Sequence, residues 1–380
     1  MARSISTSRF VSIGRPDYVF IGLAAVLVLS GLLLLSSASS AVAFQKFNDS
    51  YYYLKHQVVY GLLPGLVFFL ILSKLNYQRL KPWAPLALVL SLALLLIVFV
   101  PGLSFTHGGA RRWIALGSFV FQPSEVVKLT VLVYLAAWLE ARGQEGLRVW
   151  SSGFWPFVFT IGLILGLIIL QPDLGTMSVL AVSVFCTYLV AGAGASQLLT
   201  LVLSGGVGMW LVVKFFSHSA RRLTVFLNSE LDPQGIGYHI NQALLGIGSG
   251  GWLGVGLGYS RQKYQYLPEV TGDSIFAVVA EELGFIFTLL FLVLLVAFLT
   301  RGFRIARLAP DAFGRYLACG IMAWLGWQTC LNVASMVGLL PLTGVPLPFV
   351  SYGGTALVTT LAGLGLMSSI SRQGVKSARV

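Results

Sequence analysis

The sequence predicts an all-α, polytopic integral membrane protein of about ten transmembrane helices, and three observations carry that reading. The 380-residue chain is 57% hydrophobic and only 10% charged, whereas a soluble domain is nearer a quarter charged. Its apolar residues fall in blocks of about twenty, the length that crosses a bilayer core. The blocks are continuous rather than alternating, which favours helices over a barrel.

The expected spans lie near 18–36, 52–72, 83–101, 123–140, 154–170, 173–191, 196–216, 275–299, 314–338 and 349–370. The first is too long for a signal-peptide core and reads as a retained helix, although Ala41–Ala43 resembles a cleavage site. Turn-forming and basic segments such as "SKLNYQRLKP", "AGAGAS" and "RGFRIARLAPDAFGR" separate the spans. Two connections are long and polar, 102–122 and 217–274. Long loops in a compact membrane domain are more often functional than linker. The whole chain, 1–380, reads as a single membrane domain.

Basic residues set the expected orientation. With the N-terminus inside, the inner segments hold Arg3, Arg9 and Arg15; Lys74, Arg79 and Lys81; Arg142 and Arg148; Arg301, Arg304, Arg307 and Arg315; and Arg372, Lys376 and Arg379. The expected topology is therefore N-in and C-in, with cytoplasmic tails at 1–17 and 371–380. It makes 102–122 and 217–274 extracytoplasmic, the larger lying between helices 7 and 8.

Much of the formal net charge of +12 is then cytoplasmic anchoring rather than a nucleic-acid surface. The outer cations Arg111, Arg112, Arg221, Arg222, Arg261 and Lys263 run against the topological bias. An anionic ligand is the simplest physical reason for them; contact with lipid headgroups is the plainer alternative.

Acids in a chain with only 13 of them attract attention, because ionisable groups in spans default to function. Glu125 and Lys128 stand three apart in "QPSEVVK" and can pair on one helix face. Such a pair either fixes helices or shapes a site. Asp173, in "QPDLGT", reads as a helix N-cap. Asp273 precedes the eighth span in "YLPEVTGDSIF" and admits two readings. It is a plausible N-cap, or a lone carboxylate acting as general base beside the cationic loops. Glu269 is its nearest rival, as a loop-ordering or ligand-contacting acid. Glu281 and Glu282 lie about 12 Å deeper along the helix axis, too far to share its proton.

The stretch "GIGSGGWLGVGLG" contains a literal G-x-G-x-x-G without a βαβ context, so a dinucleotide site is rejected. It reads instead as a re-entrant segment where backbone approaches backbone. The segment 340–354, rich in Pro and Gly, is expected to be an irregular approach to the last span. Cys186, Cys319 and Cys330 sit in apolar runs, and His56, His107, His218 and His239 show no ligand spacing. No metal site is expected.

"GARRWIALGSFVFQPSEVVKL", "QPDLGT", "GIGSGGWLGVGLGYSRQKYQYLPEVTGD", "FAVVAEELG" and "GLLPLTGVPLPFVSYGGT" together resemble the SEDS (shape, elongation, division and sporulation) family of peptidoglycan glycosyltransferases. The "GLGYSRQKYQYLPE" stretch is more similar to the division branch, FtsW, than to the elongation branch, RodA. The resemblance implies polymerisation of lipid II, a disaccharide-pentapeptide on undecaprenyl diphosphate, at the outer face of the bacterial inner membrane during septal synthesis. It implies Asp273 as the essential aspartate and Trp113 as the outer-loop tryptophan, with Glu125 and Lys128 as the fourth-helix pair. A class B penicillin-binding protein transpeptidase and other division membrane proteins are the implied partners. No cofactor is implied with certainty, and divalent-cation assistance to the diphosphate stays open. The family usually carries His-Thr before the aspartate and Phe after it; here the residues are Thr271, Gly272 and Ser274. A lipid II flippase, a non-catalytic division scaffold and an elongation role are the alternatives that the sequence leaves open.

Overall fold

The computed structural model describes residues 14–102, 104–107, 110–116 and 119–374. A helix lies over each of the ten segments that hydropathy picks out. These are α1 (Tyr18–Phe47), α2 (Tyr52–Lys74), α3 (Tyr77–Ile97), α4 (Pro123–Arg148), α5 (Trp150–Ile169), α6 (Leu174–Val190) and α7 (Ala195–Phe215). After the large loop come α10 (Ile275–Arg307), α11 (Ala312–Met336) and α12 (Gly354–Gly374). Eight of the ten are long and apolar enough to cross a membrane. Of the others, α6 is shorter, and α4 carries Glu125, Lys128 and Glu140 and breaks at Gly143, whose φ is +65°.

The loops hold more structure than the sequence suggested. Three strands, β1 (Ser104–His107), β2 (Ala110–Leu116) and β3 (Phe119–Phe121), form a small antiparallel sheet in that order. Phe105 pairs with Trp113, and Ile114 with Phe121. Gly108-Gly109 and Gly117-Ser118 separate the strand sequences, a hairpin signal that a reading for long spans passes over. The loop 217–274 contains α8 (Ser217–Leu227) and α9 (Ile236–Ser249).

The buried centre is α11 and α12, while α7 is almost wholly exposed. Small residues let the helices close up. A Cβ at Gly65 of α2 would lie 2.5 Å from Leu361 of α12, and one at Gly365 would lie 2.8 Å from the Phe69 carbonyl. Close backbone approach through small residues is how helices associate in lipid, where apolar burial alone gives little.

One end of the bundle gathers both chain ends and the basic connections. Asp17 caps α1 and pairs with Arg301 at 2.8 Å, and Gly14 N–H donates to the Arg372 carbonyl. Lys81 pairs with Glu140 at 2.7 Å. Asp311 caps α11 and accepts from the Tyr77 hydroxyl and the Gln78 amide. The opposite end carries the sheet, the 217–274 loop and the irregular 340–353 segment.

Candidate active site

Asp273 stands in the last turn of the large loop. The N-cap of α10 is Ser274, not Asp273, so the capping reading of the aspartate gives way. The turn is closed instead by the Glu269 carbonyl, which accepts from Gly272 N–H at 2.9 Å and Ser274 N–H at 3.3 Å. That geometry moves the helix start one residue on.

Three consecutive carbonyls of the turn are held by donors from α11 and the residues leading into α12. Tyr352 N–H donates to Thr271 O at 2.8 Å. The Ser351 hydroxyl donates to Gly272 O at 2.6 Å, and the Asn332 amide donates to Asp273 O at 2.7 Å. Ser274 is buried and bonds His239 Nε2 of α9 at 2.5 Å. Gly344, at φ +71°, borders the carboxylate, since a Cβ there would lie 3.8 Å from Asp273 Oδ2.

Backbone and neighbours thus fix the turn while the fold leaves the carboxylate itself available. Asp273 Oδ1 is enclosed with no hydrogen-bond donor from the protein. Burial, then the Glu269 charge, pushes the Asp273 carboxyl up to about 7; the amides of the turn and Arg222 only partly offset this. A carboxylate that titrates near neutrality suits general-base work. Burial brings His239 down to about 4, so at neutral pH its imidazole is uncharged.

One of the expected cations, Arg222, lies within electrostatic reach of Asp273, and a second, Arg112, neighbours Arg222. Arg222 of α8 is held below its usual range by burial and by the neighbouring Arg112 charge, with Asp273 and Asp173 opposing. Arg112 of β2 sits 3.5 Å from Asp173 and also donates to the Gln171 and Pro172 carbonyls. Asp173 is the N-cap of α6, accepting from Thr176 N–H, as its sequence context predicts. Together they make an anion-favouring patch beside a base.

The remaining expected residues are placed differently. Arg221 pairs with Asp232 at 3.1 Å, and Arg261 is exposed. Lys263 is buried, and its ammonium pairs with Glu282 at 3.1 Å and donates to Gly258 O at 2.6 Å. The fold uses this cation internally instead of presenting it beside Asp273. Trp113 is half-buried in β2 and Glu269 is exposed. The Arg111 side chain, and Arg3, Arg9, Lys376 and Arg379, lie outside the described residues.

The deeper acids anchor the loop. Glu281 accepts from the Ser260 hydroxyl at 2.5 Å and from Arg261 N–H at 2.9 Å. Glu282 accepts from the Ser37 hydroxyl and pairs with Lys263. Just beyond them α10 breaks at Gly284 (φ +72°, ψ −178°). The glycine-rich stretch bonds to that break, with Val255 N–H on Glu281 O, Gly256 N–H on Glu282 O and Phe285 N–H on Gly251 O. This is the close backbone approach that the glycines suggested.

Glu125 and Lys128 form a buried ion pair at 2.9 Å, both side chains at most 3% exposed. The Lys128 ammonium also donates to Gln328 Oε1 at 2.9 Å and lies 4.8 Å from the Trp324 ring centroid. Sequence reasoning passed over Gln328, Asn332 and Ser351, and weighed His239 only as a metal ligand. For the first two a signal existed, as amides four residues apart inside an apolar span are polar groups with something to satisfy.

Fold and site define a multi-pass membrane protein with a conformationally fixed acid and facing arginines at one end of its helical bundle. The chain belongs to the cell cycle protein family of FtsW, RodA and SpoVE, whose model matches residues 17–376. It is 38% identical to the probable peptidoglycan glycosyltransferase FtsW of Trichlorobacter lovleyi, over 95% of this chain and 94% of that protein. It is 37% identical to stage V sporulation protein E of Bacillus subtilis, over 94% and 97%. Among solved structures it resembles the rod shape determining protein RodA of Thermus thermophilus, with a TM-score of 0.70, 31% identity and coverage of 95% and 98%. A chain of a peptidoglycan synthase complex that coordinates polymerization and crosslinking matches with a TM-score of 0.76, 30% identity and coverage of 95% and 99%.

Proposed function

We propose that this chain is a peptidoglycan glycosyltransferase that polymerises lipid II on the outer face of the bacterial cytoplasmic membrane, in septal synthesis. The observation that carries the reading is Asp273, whose turn is fixed at three consecutive carbonyls while its Oδ1 takes no donor from the protein. The 4-hydroxyl oxygen of the acceptor sugar attacks the anomeric carbon of the lipid-linked donor. The C1–O bond to the diphosphate breaks, undecaprenyl diphosphate leaves with the electron pair, and Asp273 takes the hydroxyl proton. Arg112 and Arg222 stabilise the charge developing on the leaving diphosphate.

Among the described residues no three His, Cys, Asp or Glu side chains gather as a metal site. A divalent cation, where used, is assigned to the substrate's diphosphate. The N-in, C-in orientation is part of the proposal, supported by the clustering of both chain ends with the basic connections. A class B penicillin-binding transpeptidase is the proposed partner, supported by the similarity to a complex that couples polymerization to crosslinking. Other division membrane proteins and the surrounding lipids complete the expected contacts.

Purified chain given lipid II, with and without the transpeptidase, tests the reading. Glycan strands are expected from the parent, and loss of about a hundredfold or more from Asp273→Asn. A scaffold or flippase would give no strands from the parent, and near-parental synthesis by the Asn variant would end the base assignment.

A further inference from the structure

The buried Glu125–Lys128 pair and the Asp273 turn belong to different helices, yet one row of side chains on α11 joins them. Gln328 and Asn332 are four residues apart, so both project from one face of that helix. Lys128 Nζ and Trp324 Nε1 both donate to Gln328 Oε1, at 2.9 and 2.7 Å. Two donors on one oxygen fix which way the amide points. Its Nε2 is thereby aimed at the Pro346 carbonyl, 2.9 Å away. Asn332 Nδ2 bonds the adjacent carbonyl, Val345 O, at 2.8 Å and also Asp273 O at 2.7 Å. Further along the same segment, Ser351 accepts from Leu347 N–H and donates to Gly272 O. Charge on α4 is thus converted, through one oriented amide, into the placement of residues 345–352, and these hold the aspartate's turn.

We infer that Gln328 and Asn332 are positioning residues for Asp273, and that the Glu125–Lys128 pair acts on the aspartate through Gln328. The inference deepens the glycosyltransferase reading and rests on it. It gives the ion pair a task that a purely structural pair would not have. A buried pair need not stabilise a fold relative to apolar residues of the same volume, so orienting Gln328 is a reason for its presence. A misplacement of a reacting group by about 1 Å is enough to lower a rate by roughly a hundredfold.

Steady-state lipid II polymerisation by purified full-length variants, each checked for thermal unfolding in detergent, is the test. Asn332→Ala and Ser351→Ala should each lower kcat by about ten- to a hundredfold and leave KM for lipid II within about twofold. Ser351→Thr, which keeps the hydroxyl, should recover most of the rate. On the Asp273→Asn background Asn332→Ala should cause no further loss, because both changes remove the same placed base. A second cycle guards against unfolding of the single variants. In the charge-neutral Glu125→Gln, Lys128→Met protein, kcat should be lowered and adding Gln328→Met should lower it no further. Loss confined to KM, or full additivity in either cycle, would overturn the inference. Parental synthesis by Asp273→Asn would overturn it as well, whereas the absence of glycan strands from the parent would overturn the glycosyltransferase reading, a distinct result.

Discussion

Asp273 sets catalysis and stability against each other. Its carboxyl titrates near 7 in the fold, against an ordinary 3.8. As the base it must be ionised, so kcat/KM is expected to fall about tenfold per pH unit below 7 and to level off above it. A stopped polymerisation assay from pH 5 to 9 reads this directly, and a flat profile would argue against a base at this position. Stability runs the other way. A raised acid pKa means that the folded state holds the proton more tightly than the unfolded state, so the penalty is absent near pH 4 and complete above about 7. Asp273→Asn is therefore expected to unfold at higher temperature than the parent at pH 8. That advantage should disappear toward pH 4, even though the same variant has lost synthesis.

At the level of elements, α10 depends on its break at Gly284. With φ +72° and ψ −178° the position lies in a region open to glycine almost alone. A Cβ there would also lie 2.1 Å from Gly254 N. Gly284→Ala should therefore lose on the order of 1–3 kcal/mol from backbone strain alone, with the clash added. It should also detach residues 251–256 from α10, which hydrogen exchange at Val255 and Gly256 would detect. On α4, Lys128→Met leaves Glu125 buried without its cation, a loss on the order of 3–5 kcal/mol. The double Glu125→Gln, Lys128→Met variant should melt closer to the parent than either single change. If each single variant melts like the parent, the pair is not isolated from water.

For the whole molecule the decisive quantity is orientation. Arg307, at the end that gathers both chain ends, and Glu230, in the large loop at the other end, are both exposed. With Cys186, Cys319 and Cys330 replaced, a membrane-impermeant thiol reagent applied to intact protoplasts should label Glu230→Cys and spare Arg307→Cys. The reverse pattern would place Asp273 on the side away from the growing wall and remove the proposed reaction with it.

The sequence by itself determined the class of molecule and the approximate places of the long helices, and it singled out the cations of the two long loops. These follow from length, periodicity and charge bias, which are local properties of the chain. It also singled out Asp273 and the Glu125–Lys128 pair, because ionisable groups are rare in so apolar a chain. Only the tertiary structure decided their surroundings. Local rules made Asp273 a good cap; the Glu269 carbonyl closed the turn one residue later and made Ser274 the cap instead. Charge alone made Lys263 equivalent to Arg222. Burial against Glu282 turned Lys263 inward, while Arg222 came to rest with Arg112 and the two aspartates. Asn332 and Ser351 carry no charge and no motif, and their partners lie 59 and 79 positions away in the chain. Hydrogen bonds across such separations are created by packing, so no reading of neighbouring residues could place them beside the aspartate.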